Sequence, residues 1–328
     1  MQASDSYVIS TQALSKTYAG VNALQSLDLH VARHSIFGFL GPNGAGKSTT
    51  IKLLLGLAKP SSGSATIFGM DSVRDSVAIR EKVGYLAQEP RYYDHLTARE
   101  TLRFTAHFFY KGPSRALEKR IEETLDLVGL ADKADRPIKG FSGGERQRLG
   151  IAQAQINQPE LLIFDEPAAA LDPMGRRDVL NVMERLKKHT TIFYSTHILE
   201  DVQRVSDSVA ILNHGRLVAQ APIEQLLNGS GGITYTLAIR GDADAARTRI
   251  AGQPWVASVA EDAAPAELNG ATRLQVRVTD AAAAEAQLLR LILDDTQTTV
   301  LEFGRIKQNL EAIFLQIIEG GTTNGNHN

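Results

Sequence analysis

The stretch GPNGAGKS, Gly41–Ser48, decides the fold. It fits G-x-x-x-x-G-K-[ST], with the apolar run IFGFL before it and TTIKLLLGL, apolar at helical spacing, after it. A strand, a glycine loop and a helix in that order make a phosphate cradle. The glycines let successive backbone N–H groups face one anion, and the helix N-terminus adds a favourable dipole. Gly41, Pro42, Asn43, Gly44, Ala45, Gly46, Lys47, Ser48 and Thr49 are therefore the expected nucleotide contacts. Lys47 supplies a point charge and Ser48 a hydroxyl for Mg²⁺.

A second stretch, LLIFDE at Leu161–Glu166, is an apolar strand that ends in two carboxylates. A parallel strand does this where its C-terminal edge opens onto a ligand crevice. Asp165 is expected to bind Mg²⁺, usually through water, and Glu166 to orient and polarise an attacking water as general base.

Outward from these two points, Ser35–Leu40, Val83–Leu86, Leu161–Asp165, Thr191–Ser195 and Val209–Leu212 read as strands alternating with amphipathic stretches, an α/β pattern. Between Leu86 and Leu161 the periodicity is helical, so a helical insert over about residues 89–158 is expected. Thr97 and Glu100 form a capping-box pattern there, and a second helix is expected from Ser114 to about Val128. At NGSGG the text turns polar and glycine-rich. This places one domain over 1–228 and a smaller one over 229–320. The second reads strand, helix, strand, strand, helix, strand, a ferredoxin-like α+β arrangement, with a last helix near Gln308–Ile318. Residues 321–328 have little to bury and are expected to be disordered.

Composition bounds the chemistry. Lys and Arg total 35 against 37 Asp and Glu, so bulk charge gives no pull toward nucleic acid. With no cysteine, disulfides, thiolate metal sites and thiol nucleophiles are excluded. The start MQASDSYVIS lacks a secretory pattern, and no apolar run approaches the ~18 residues a membrane span needs. Contact with a membrane is expected through a partner.

FSGGERQRLG at Phe141–Gly150 resembles the LSGGQ-type signature of ABC ATPases. Physically it is Ser142 with Gly143 and Gly144 opening a helix, a second anion-binding terminus. The other landmarks follow in family order. Tyr18 matches the aromatic that stacks on adenine, Gln88 the Q-loop glutamine that meets Mg²⁺ and senses the γ-phosphate, Asp172 the D-loop residue, and His197 the switch histidine. The resemblance covers residues 7–227. Phe141 and Glu145 depart from the commonest signature, and AAALDP replaces the more usual TSGLDP.

What the resemblance implies is an ATP- and Mg²⁺-dependent ATPase with a P-loop of ABC type, a mixed sheet and a helical subdomain. Glu166, His197 and Lys47 would be catalytic, and Ser48, Gln88 and Asp165 would serve the metal. It further implies a homodimer around ATP, a separate integral-membrane permease, and a place on the cytoplasmic side of the cell membrane. The closing NLEAIFLQI is similar to endings of drug-, antibiotic- or sodium-export systems. The rival reading is a soluble ABC ATPase acting on nucleic acid or ribosomes. Such proteins usually carry two cassettes or basic arms, and this chain shows one cassette and balanced charge. A regulator that never turns over conflicts with the presence of Lys47, Asp165, Glu166 and His197. Arg91–Tyr110 is rich in aromatics for a chain that is 6% aromatic, and most of these are expected in the subdomain core, with some left to form a docking groove.

Overall fold

The computed structural model describes residues 7–228, 233–262, 271–293, 298–306, 310–311 and 314. They form two compact units, divided between Ile223 and Glu224.

The first unit opens with β1 (Tyr7–Tyr18), β2 (Val21–Leu27) and β3 (His30–Ala32), both of the latter antiparallel to β1. Then come β4 (Ile36–Leu40), buried at every residue, and α1 (Lys47–Leu54). β5 (Ser62–Ile67) returns to β1, and β6 (Met70–Asp71) lies beside β5. α2 (Ser76–Lys82) leads into β7 (Val83–Leu86). The helical insert follows: α3 (Ala98–Ala106), α4 (Ser114–Leu127) and α5 (Gly143–Gln155). The chain returns through β8 (Leu161–Asp165), α6 (Pro173–Leu186), β9 (Thr191–Thr196), α7 (Leu199–Val205), β10 (Ser208–Asn213) and β11 (Arg216–Pro222); α8 (Ile223–Asn228) starts at the last residue of this stretch and belongs otherwise to the second unit.

The central sheet has the order β11-β10-β4-β9-β8-β7, parallel from β10 through β7. This order is what builds the site. β9 lies between the P-loop strand and the acidic strand, with Leu40 opposite Thr196 and Asp165 opposite Ser195, so three C-terminal strand ends open side by side. The strands are held by apolar burial on both faces. Phe37 and Phe39 flank Phe193 at 5.9 and 5.2 Å between ring centres, within a core that also takes Leu14, Leu27, Ile51 and Ile67. Each such side chain contributes about 2 kcal/mol by leaving water.

The helices of the insert form where the sequence caps them. Thr97 and Glu100 make the reciprocal capping box at α3, and Leu117, Ile121 and Leu125 give α4 its buried stripe. The expected aromatic core is corrected here. Tyr93, Phe104, Phe108 and Phe109 are exposed, between 43% and 71%, while Tyr92 is turned inward against α5 with its hydroxyl on the Arg146 carbonyl. The core-facing positions of α3 are the smaller Ala98, Thr101, Leu102 and Ala106, so its aromatics fall on the opposite face.

In the second unit β12 (Ile233–Arg240), α9 (Ala243–Ala251), β13 (Val256–Asp262), β14 (Thr272–Val278), α10 (Ala281–Leu293) and β15 (Thr299–Ile306) form an antiparallel sheet in the order β13-β14-β12-β15. Leu237, Ile239, Leu274 and Val276 meet Ile250, Leu288 and Ile292 of the two helices in a separate core. Of the expected last helix, Leu310, Glu311 and Phe314 are helical; its remaining residues and 321–328 lie outside the described residues. Among the described residues no helix is long and apolar enough to cross a membrane.

Candidate active site

The loop between β4 and α1 can take its shape only with glycine at Gly46. Its φ is 105°, and a side chain there would meet the Ala23 carbonyl oxygen at 2.5 Å. Lys47, the first residue of α1, is buried. Its ammonium donates to the carbonyl oxygens of Gly41 (2.7 Å) and Pro42 (3.2 Å) and lies 3.1 Å from the Glu166 carboxylate. Around it a cavity of about 350 Å³ is lined by Ala23, Asn43, Gly44, Gly46, Lys47, Ser48, Thr49, Gln88 and Glu166. Residues from four distant segments thus converge on one cleft.

At the end of β8 the two carboxylates point to different partners. Asp165 Oδ1 accepts from the hydroxyls of Ser195 (2.6 Å) and Ser48 (3.3 Å). Glu166 is 5% exposed and holds a left-handed φ of 52°, a conformation that costs a non-glycine residue of order 1–3 kcal/mol. Its N–H donates to Ser195 Oγ at 3.0 Å, and its carboxylate also meets His197 Nδ1 at 2.9 Å. The Glu166 carboxylate is thus flanked by an ammonium and an imidazole where it lines the cavity.

Comparison with known proteins identifies the family. The family described as "ABC transporter" matches residues 24–169. The bacitracin transport ATP-binding protein BcrA of Bacillus licheniformis is 40% identical over 223 residues, covering 67% of this chain and 72% of BcrA. The chain belongs to the ATP-binding proteins of ABC transporters. The daunorubicin/doxorubicin resistance ATP-binding protein DrrA of Streptomyces peucetius is 32% identical over 311 residues, 94% of this chain and 92% of DrrA, so that likeness runs on into the second unit. Among solved structures, a dimeric ATP-binding cassette in a post-hydrolysis state, bound to ADP and Pi, superposes with a TM-score of 0.60. It is 25% identical and covers 66% of this chain and 98% of the cassette.

The other residues singled out in the sequence lie elsewhere on this ABC ATPase. Tyr18 ends β1 about half exposed, with the Lys16 ammonium 4.7 Å from its ring centre, and does not line the cavity. Ser142 caps α5 and Asp172 caps α6, the latter accepting from the Gly175 N–H at 3.2 Å. The two helix starts are adjacent because both are bare: a side chain on Gly144 would meet the Gly175 Cα at 3.1 Å. Signature and D-loop thus share one surface, outside the P-loop cavity. Ala170, where the usual sequence has glycine, is held at a left-handed φ of 57°.

Two features escaped the reading of the sequence, the second although Ser142 and Glu145 have the same capping-box spacing as Thr97 and Glu100. Ser195 is fully buried and joins Asp165 to the Glu166 backbone. Its only sequence signal is a small hydroxyl residue at the end of an apolar strand, two positions before His197. Glu145, read as a departure from glutamine, completes the capping box: it accepts the Ser142 N–H at 2.8 Å, and Ser142 Oγ accepts its own N–H at 3.3 Å.

Proposed function

We propose that this ABC ATPase binds ATP with Mg²⁺ between two copies arranged head to tail, hydrolyses it, and so drives a separate integral-membrane permease, in the export direction. The observation that carries the reading is the separation of two phosphate-binding devices. Lys47 and the P-loop line one cavity, while the Ser142 helix start lies on another surface beside Asp172. One subunit has no use for both unless the second serves the nucleotide of a neighbour. The dimeric cassette with bound ADP and Pi supports the same arrangement, and the bacitracin and daunorubicin relatives support export.

Mg²⁺ fits the residues present. Ser48 Oγ and the Asp165 carboxylate lie together, with Gln88 at the same cavity, all oxygen donors suited to a hard cation. Among the described residues no cluster of three His, Asp or Glu could hold a metal unaided, so phosphate oxygens and water would complete the coordination. When bound, the ion would neutralise charge on the β- and γ-phosphates. Lys47 would contact the same phosphates. Glu166 would orient the water and accept its proton, and His197, tied to Glu166, would contact the γ-phosphate. Tyr18 would stack on adenine once the base lies along β1.

The exposed aromatics of the insert fit the permease. Tyr93 and Phe104 meet edge to face at 6.5 Å, as do Phe104 and Phe108 at 5.3 Å, an exposed row of rings on α3 and the segments flanking it. The subunit would then be peripheral on the cytoplasmic side, held through that contact. The test is an affinity pull-down of tagged Glu166→Gln protein with ATP and Mg²⁺ from detergent-solubilised membranes of the native host. The expected result is stoichiometric retention of a polytopic membrane protein, lost in a Phe104→Ala, Phe108→Ala chain that still hydrolyses ATP when Glu166 is restored. Ribosomal or nucleic-acid partners without a membrane protein would promote the soluble-ATPase reading.

A further inference from the structure

We propose that Lys133 is a positioning residue for the signature helix: by cancelling the charge of Glu145 it leaves the start of α5 able to receive the γ-phosphate of a second copy's nucleotide. The inference rests on the head-to-tail reading above and concerns a residue outside every motif named so far.

A capping box built with glutamine presents a neutral amide at the third helical position. Here that position carries Glu145, 8% exposed and in the same turn as Ser142. Burial opposes ionisation of this carboxyl, but the hydrogen bonds from Lys133 and the Ser142 N–H outweigh it and hold its pKa below the ordinary glutamate value. At neutral pH an anion therefore stands beside the hydroxyl that has to meet a phosphate, and like charges there oppose each other. The compensating cation comes from a different element. Lys133 ends the one-turn helix Ala131–Lys133 that follows α4, and its ammonium donates to Glu145 Oε1 at 2.6 Å.

The neighbouring arginines are committed elsewhere. Arg136 reaches the Gly140 carbonyl (2.7 Å), Arg146 reaches Asp94 (3.1 Å), and Arg148 reaches the carbonyls of Val128 and Gly129 (3.2 and 3.1 Å). Arg136 adds only a longer-range pull on Glu145. Lys133 is therefore the direct counter-charge. With it in place the pair is neutral and the dipole of α5 remains open to an incoming anion.

The test is a charge cycle in the full-length Glu166→Gln chain, reading by sedimentation the ATP concentration at which half the protein is dimeric, in excess Mg²⁺. Lys133→Met should raise that concentration about tenfold, a coupling in the range found for residues in direct contact. The same change made in a Glu145→Gln chain should move it less than about twofold, because no charge is left to cancel. A Lys133→Met effect that is absent, or that persists undiminished with Glu145→Gln, overturns the proposal. Should Lys133→Met alone fail to fold, the doubly substituted chain decides: folding and dimerising like Glu145→Gln supports charge cancellation, and failing to fold assigns Lys133 a structural role instead. If the Glu166→Gln parent does not dimerise with ATP, the head-to-tail reading is what falls.

Discussion

Ser195 holds the catalytic end of β8 in place with one hydroxyl, donating to Asp165 and accepting the Glu166 N–H. Both bonds are buried, so removing the oxygen leaves an unpaired N–H and a carboxylate short of a donor. Ser195→Ala should cost about 2 kcal/mol of stability, read from denaturant unfolding. It should also lower ATP turnover, because the left-handed turn at Glu166 loses its tether. Wild-type turnover in Ser195→Ala would show that the tether is dispensable. Lys47, Ser48, Asp165, Glu166 and His197 each carry a spacing or strand-end signal in the sequence, and the structure brings them into contact with one another. Ser195 was not legible, since a serine in a strand declares no partner until the register sets it opposite Asp165.

Between elements, the start of α6 is tied to α7 by Arg176. Its guanidinium meets Asp201 at 2.5 Å and Glu200 at 3.1 Å, which links the helix capped by Asp172 to the one that follows His197. Asp201 is 2% exposed, and burial, only partly offset by Arg176, raises its pKa above the usual 3.8. Arg176→Ala should cost about 3 kcal/mol at neutral pH by stranding a buried anion. The sign of the pH dependence follows. A carboxyl with a raised folded-state pKa binds its proton in the native state first, so stability falls as pH rises between 3.8 and the folded value. Without Arg176 the Asp201 pKa should rise further, so the deficit of Arg176→Ala should shrink as pH falls through the variant's higher folded value toward the wild-type one, and a deficit independent of pH would contradict the assignment. Elements were legible where burial is continuous. IFGFL, LLIFD and the IFY of TIFYST are short continuous apolar runs of the kind a sheet covered on both faces produces. The antiparallel β1 was missed: STQALSKTY is mostly polar, its register shifts between Leu14 and Lys16, and its partner β5 is far along the chain. The aromatics around α3 were misread because composition does not tell a buried face from an exposed one, and only geometry separates them.

At the scale of the molecule, two units with separate cores divide the work. The first holds the residues proposed to meet ATP and Mg²⁺, and the second, into which the likeness to DrrA runs on, carries none of the nucleotide-site motifs. We propose that the second unit stabilises or regulates the dimer. The monomer should be an incomplete enzyme, because its signature and P-loop face different surfaces. The decisive measurement is sedimentation of Glu166→Gln protein with ATP and Mg²⁺, beside the same protein with ADP. A dimer that forms with ATP, disappears with ADP, and is lost when Ser142 is changed to arginine is the predicted result. A chain that binds ATP yet stays monomeric at every protein concentration, or dimerises equally well with ADP, would contradict it.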